Sequence, residues 1–201
     1  MTQMAFYHLK TLGDGRDRDL CIIRDFVEGI ENKTWQVQKG VRLAPIYPQD
    51  AKIFMDPRHK GIKLSSLLGA SGGKLMVHKE LKELIEKHCQ GVDIEYLPFT
   101  LYDHRKRVAS RDYFIINPIG TVDCLDFKAS DIKWDKDNPE EIISIRKHVL
   151  DRKKVENAPQ LFRIDKDTTE YVLGVKLATE IHDRKLTNIV WNKLPFSDEK
   201  Q

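Results

Sequence analysis

Tyr113-Phe114-Ile115-Ile116-Asn117-Pro118-Ile119-Gly120-Thr121-Val122-Asp123-Cys124-Leu125-Asp126 is the stretch from which the fold can be read. Its first four residues have high strand preference, and no polar residue alternates with them. Such a run predicts a strand covered on both faces, hence a central one. Asn117-Pro118 and Gly120 are expected to break it, and Val122, Cys124 and Leu125 to resume it. Asp123 and Asp126 fall where the second run ends. Two carboxylates there could brace a turn through local side-chain to backbone bonds, or form a catalytic acid pair. No histidine or metal-type cluster is near them in sequence, so the bracing role is preferred.

Upstream of that run the clearest helix is expected over residues 77–89. Leu81, Leu84, Ile85 and Cys89 recur on one face, with Lys79, Glu80, Lys82, Glu83, Glu86 and Lys87 on the other. Lys87 and His88 suit its last turn and Gly91 the position beyond. Residues 93–101 read as a strand in which Pro98 implies an edge or a bulge. Residues 103–111 read as a charged hairpin tip. Further strands are expected at 5–9, 20–24, 142–150, 161–164, 171–173 and 188–194, and a second helix at 175–185 with Leu177, Ala178 and Ile181 inward. Residues 28–58 hold Trp35, Val37, Val41 and Leu43 among glycine and proline breakers, which predicts short strands and long loops. Residues 69–73 read as a flexible connection. Strands outnumber helices and cluster, so the expected class is α+β: a largely antiparallel sheet with two main helices packed against it.

A chain of 201 residues can bury a hydrophobic core without staples. With 40% hydrophobic and 32% charged residues it falls among soluble globular proteins. A net charge of +3 gives no reason to invoke a nucleic-acid or membrane partner. Cys21, Cys89 and Cys124 are an odd number of distant cysteines, which fits a reducing compartment. Residues 1–10 lack a basic region followed by an apolar core, and no apolar run approaches membrane-spanning length. The expected location is cytoplasmic.

Several motifs could carry chemistry. Gly69-Ala70-Ser71-Gly72-Gly73 spells G-x-S-x-G, and a hydrolase would use Ser71 with a distant acid and His182. The helix that must follow such a serine starts several residues late, and the βαβ repeat of a hydrolase is missing, so a glycine loop is preferred. Gly73-Lys74 is not a phosphate loop, because Leu75 stands where Ser or Thr is required. No pair of histidines has helical or zinc-finger spacing, so no metal and no cofactor is expected. Cys124 in a buried strand would be an inert small hydrophobe. Arg105, Lys106, Arg107 and Arg111 could touch phosphate, the basis of a nucleic-acid-binding alternative, although a basic run is usually a solvated turn. Residues 131–141 are acidic, with Trp134 in their midst. An aromatic ringed by Asp131, Asp135, Asp137, Glu140 and Glu141 makes a reasonable protein-binding surface. Its plainer reading is a loop whose Trp134 tucks into the core.

The order of these pieces resembles a known family. An amphipathic helix is followed by Tyr96-Leu97-Pro98, then Tyr113-Phe114-Ile115-Ile116-Asn117-Pro118. Val122-Asp123-Cys124-Leu125-Asp126 comes next with Ser130 four residues on, then Leu161-Phe162-Arg163-Ile164, a closing helix and a final strand. This is similar to the bacterial immunity protein 11 family of polymorphic toxin systems, over residues 73–194. The Leu125-Asp126-x-x-x-Ser130 core and the Leu161-Phe162-Arg163-Ile164 strand are the most specific parts, and neither is a catalytic signature. The resemblance implies a variable N-terminal strand and loop region over 1–72 packed on an immunity-type core over 73–196, in one unit. It implies a non-enzymatic cytoplasmic protein that binds and neutralises a cognate secreted antibacterial toxin, with no cofactor and with neither nucleic acid nor membrane as partner. The oligomeric state is left open. The low positive charge argues against a strongly basic nuclease as that toxin, since its inhibitor would be acidic overall, although the local acidic surface at 131–141 could still serve one. The expected toxin-binding residues are Asp131, Trp134, Asp135, Asp137, Glu140 and Glu141.

Overall fold

The apolar run at 113–116 lies inside a longer strand, Val108–Pro118. The computed structural model describes residues 4–199. In chain order its first six strands are β1 (Phe6–Lys10), β2 (Ile22–Ile23), β3 (Lys52–Phe54), β4 (Gly69–Ala70), β5 (Leu75–His78) and β6 (Ile94–Tyr102). The rest are β7 (Val108–Pro118), β8 (Asp131–Trp134), β9 (Ile142–Lys147), β10 (Leu161–Ile164), β11 (Asp167–Gly174) and β12 (Val190–Lys193). The helices are α1 (Thr34–Gln38), α2 (Lys79–His88) and α3 (Val175–Asp183). One four-stranded sheet has the order β3-β6-β7-β5 and a second the order β10-β11-β1-β12. Pairing is antiparallel in both except for β3 beside β6. The class is α+β with mainly antiparallel sheets, as expected.

β7 is central because both its faces are covered. Ile115 packs with Ile23, Ile53, Met76 and Leu101 on one side. Ile116 packs with Val77, Leu81, Leu84 and Tyr171 on the other. The expected break at Asn117-Pro118 does not occur. Asn117 is wholly buried and its amide is satisfied there, donating to the Val41 carbonyl at 3.0 Å and to Glu95 Oε2 at 2.8 Å. A polar side chain with its partners in place does not end a buried strand. The second run forms no strand. Beyond Gly120, at φ +76°, Val122 and Leu125 make only isolated bridges, to Ile164 and Leu150. Cys124 and Leu125 still reach a core, the third cluster, with Phe6, Phe162 and Val172.

Three other expectations shift. The helix begins at Lys79, because Val77 and His78 are held in β5 against Phe114 and Tyr113. Residues 69–73 are not a flexible connection. Gly69 and Ala70 are buried and pair in parallel with Ile22 and Ile23. At Gly73, φ +63°, an added Cβ would meet the Thr169 carbonyl oxygen at 2.8 Å. That close approach joins the end of the glycine segment to β11 of the other sheet. The short α1 was not anticipated, since five residues with one buried side chain, Val37, carry too little periodicity. Pro98 does sit at an edge: β3 covers only Thr100, Leu101 and Tyr102 of β6, and the Tyr47 hydroxyl donates to the Pro98 carbonyl at 2.9 Å.

α2 and α3 bury Leu81, Leu84 and Ile85, and Leu177, Ala178 and Ile181, in one shared cluster. Lys87 and His88 of α2 reach Glu180 of α3 at 2.8 and 2.6 Å. Between the two sheets runs a buried polar seam. Arg163 donates to the carbonyls of Pro118 at 3.2 Å and Thr168 at 2.7 Å, and to Asn117 Oδ1 at 3.2 Å. Its guanidinium lies 4.3 Å from the centroid of the Tyr171 ring, and the Tyr171 hydroxyl donates to the Gly73 carbonyl. The other side of Asn117 meets Glu95, whose carboxylate also accepts the backbone N–H groups of Leu43 and Ala44. A guanidinium and a carboxylate are thus buried one amide apart, each of their side-chain nitrogens and oxygens having a hydrogen-bond partner.

Candidate functional site

Among the described residues β8 and β9 pair with each other and with no further strand. The segment that enters this hairpin explains the Leu125-Asp126-x-x-x-Ser130 spacing. Asp126 Oδ1 accepts the N–H groups of Lys128 and Ala129 at 3.0 and 3.1 Å, closing a turn. These amide bonds, that of Ala129 foremost, hold its carboxyl below the usual carboxylate range. The Asp126 N–H donates to the Val149 carbonyl, and the Val149 N–H donates to Ser130 Oγ at 3.1 Å. The motif therefore clamps the two ends of the hairpin together where it leaves the body. Asp123 does not brace the turn. It takes Lys154 Nζ at 2.8 Å.

At the far end, residues 135–141 form the turn. Asp135 Oδ1 accepts the N–H groups of Asp137 and Asn138 at 2.7 and 2.9 Å, and the Asp135 N–H donates to the Glu141 carbonyl. Asp135, Asp137, Glu140 and Glu141 face one cation within the turn, Lys136. Trp134 does not tuck into the core. It is 39% exposed and meets Phe127, itself 38% exposed, edge to face at 6.0 Å. Ile143 is 51% exposed on the opposite strand. Asp131, Trp134, Asp135, Asp137, Glu140 and Glu141 thus share one hairpin, with Asp131 at its base and the other carboxylates at its turn. An exposed aromatic beside carboxylates can bind a protein.

The other motifs fall elsewhere. The Ser71 hydroxyl reaches the Arg24 carbonyl at 3.5 Å, while His182 stands on α3 beside Asp183 and lines a recess with Tyr7 and Trp191. Among the described residues Ser71 and His182 share no hydrogen bond or bonding partner. Lys74 is 3% exposed and donates to the carbonyls of Arg24 and Asp25. Burial pulls its pKa down to about 8. Burial pushes the Cys124 thiol up to about 12, where it is a poor nucleophile. In the basic tip, Asp103 accepts the N–H groups of Arg105 and Arg107 and the Arg107 guanidinium, so one of its cations is neutralised locally. Arg105 and Arg107 line an open recess of about 320 Å³ with Ile62, Asp103 and His104, while Arg111 lies in β7. Besides His88 and His182, two further histidines pair with carboxylates, His8 with Glu170 and His148 with Asp167.

A family model described as an immunity protein family (Imm11) matches residues 15–195. This chain belongs to the Imm11 immunity protein family. The match extends the likeness at 73–194 to nearly the whole chain, β2 and β3 included. A search of curated proteins finds no match. The two most specific pieces of the Imm11 likeness now have structural roles. Leu125-Asp126-x-x-x-Ser130 roots the β8–β9 hairpin, and Leu161-Phe162-Arg163-Ile164 supplies the arginine of the seam. The seam residues Glu95, Asn117 and Arg163 were not singled out from sequence. The available signal was an arginine inside an apolar strand and an asparagine at the end of another. Among the described residues of this Imm11 protein no helix is long and apolar enough to cross a membrane.

Proposed function

We propose that this chain binds a cognate secreted antibacterial toxin and neutralises it in the cytoplasm of the producing cell, acting as an inhibitor without turnover of its own. Membership of the immunity protein family carries this reading. The contact is the β8–β9 hairpin, through Asp131, Trp134, Asp135, Asp137, Glu140 and Glu141. An exposed Trp134 beside Phe127 is the observation that favours this surface, because tryptophan anchors at a desolvated centre dominate protein interfaces. The carboxylates of the turn add steering and exclude acidic partners. Residues 1–72 would vary between relatives around the 73–196 core while folding in the same unit, as the place of β1 between β11 and β12 supports.

Co-expression with the product of the neighbouring open reading frame tests the reading. A stable complex and rescue from toxicity are expected; a protein that neither binds nor protects would end it. Reversing charge at Asp135, Asp137 and Glu141 together should slow association about tenfold at low salt, with less effect at high salt. Unchanged kinetics would remove the turn from the interface.

A further inference from the structure

The lone hairpin has an unused edge. Among the described residues β8 and β9 form strand pairs only with each other, so each carries an outer row of backbone groups with no strand beside it. A two-stranded ribbon is marginal in water, and proteins usually blunt such edges with bulges, charges or proline. Both strands carry charged residues, but only β9 is bulged. The pairing runs Asp131↔Lys147, Ile132↔Ile145, Lys133↔Ser144 and Trp134↔Ile142, so β9 skips Arg146 and Ile143 as bulged residues while β8 advances without interruption. The regular edge is also the one beside the exposed aromatic. Ile132 and Trp134 share a face of β8 at the two-residue spacing, and Trp134 abuts Phe127.

We propose that the toxin adds an extended strand to the free edge of β8. This rests on the hairpin being the toxin-binding surface and specifies how it binds. The incoming segment pairs its backbone with Asp131 to Trp134 and lays an apolar side chain against Trp134 and Phe127. Past Trp134 it enters the field of the 135–141 turn, which holds four carboxylates and one lysine. The segment therefore carries lysine or arginine at that end. Backbone pairing supplies affinity and the alternate side chains supply choice of partner, as in other strand-addition complexes. The acid-rich turn also disfavours parallel addition of a second copy of this hairpin, which would bring two such turns together.

Amide hydrogen exchange on the full-length protein, free and bound to the purified toxin, tests this. Exchange of the 131–134 amides should slow at least tenfold in the complex, and Trp134→Ala should weaken binding at least tenfold. Should Trp134→Ala fail to fold, by circular dichroism, the exchange result on the unaltered protein decides alone. A complex in which those amides gain no protection overturns strand addition. If charge reversal in the turn still slows association, the hairpin remains the contact surface; if it does not, the hairpin reading falls as well. Protection of the same amides without toxin, rising with protein concentration alongside a dimer mass, would put a second copy on the edge and also overturn the proposal.

Discussion

Asn117 Oδ1 accepts a hydrogen bond from Arg163 Nη2 at 3.2 Å, across the seam between the two four-stranded sheets. Asn117 is the penultimate residue of β7 and Arg163 sits in β10, and both are wholly buried. The contact joins the two sheets through their backbones too, because Arg163 also holds the Pro118 carbonyl. Burial pulls the arginine below its ordinary range, yet three acceptors and the Tyr171 ring stabilise the charged form.

Arg163→Lys should therefore not be conservative. One ammonium cannot span the Pro118, Thr168 and Asn117 acceptors that the planar fork reaches. A loss of about 3 kcal/mol is expected in urea unfolding, comparable to leaving buried partners of a charged donor unpaired. A loss below about 1 kcal/mol would show that the seam tolerates a point charge.

Gly73→Ala should cost about 2 kcal/mol or more, from a left-handed residue gaining a side chain and from the clash with Thr169. Gly91→Ala is the control, since Gly91 also has positive φ but open space around its Cβ position. If the two variants lose equal stability, the close approach to Thr169 carries no weight.

Lys74 sets a pH dependence on the alkaline side. Burial lowers its pKa from 10.5 to about 8, so between those values the unfolded chain holds a proton that the folded chain has released. Stability then rises with pH across that window. Lys74→Met should remove the rise, measured by urea unfolding at pH 8 and 10. An unchanged slope would assign it to another group.

Glu180 acts at the acid end. The ammonium of Lys87, then the His88 ring, hold its carboxyl down at about 2, from 4.5. Its stabilising contribution is present above 4.5 and is lost as pH falls through about 2. Glu180→Gln should flatten the melting temperature against pH across that interval and loosen the α2–α3 contact. The same acid slope in the variant would exclude Glu180 as its source.

Much of the architecture was legible in local pattern. The apolar run 113–116 marked a central strand because its neighbours must be apolar on both faces. The helix at Leu81, Leu84 and Ile85 and the strand at 161–164 followed from period and composition alone. The six residues expected to bind toxin fall together because they are close in sequence and a hairpin keeps them so. The errors have a common origin. Asn117, Gly69 and Val77 were read by intrinsic preference, and each is overridden by a partner distant in sequence: Glu95 and Arg163 for the first, Ile22 for the second, Phe114 for the third.

Sequence by itself thus established the class and most elements, because strand and helix preferences and hydrophobic period act between near neighbours; the family rests on the match to its model over residues 15–195. Tertiary contact alone settled three things: that Asn117 and Arg163 complete each other, that Lys74 is buried, and that Trp134 stays outside the core beside a β8 edge to which, among the described residues, no further strand pairs. Each depends on which groups remain to satisfy a buried donor, a buried charge or an open strand edge once distant segments have met, and chain order does not contain that information.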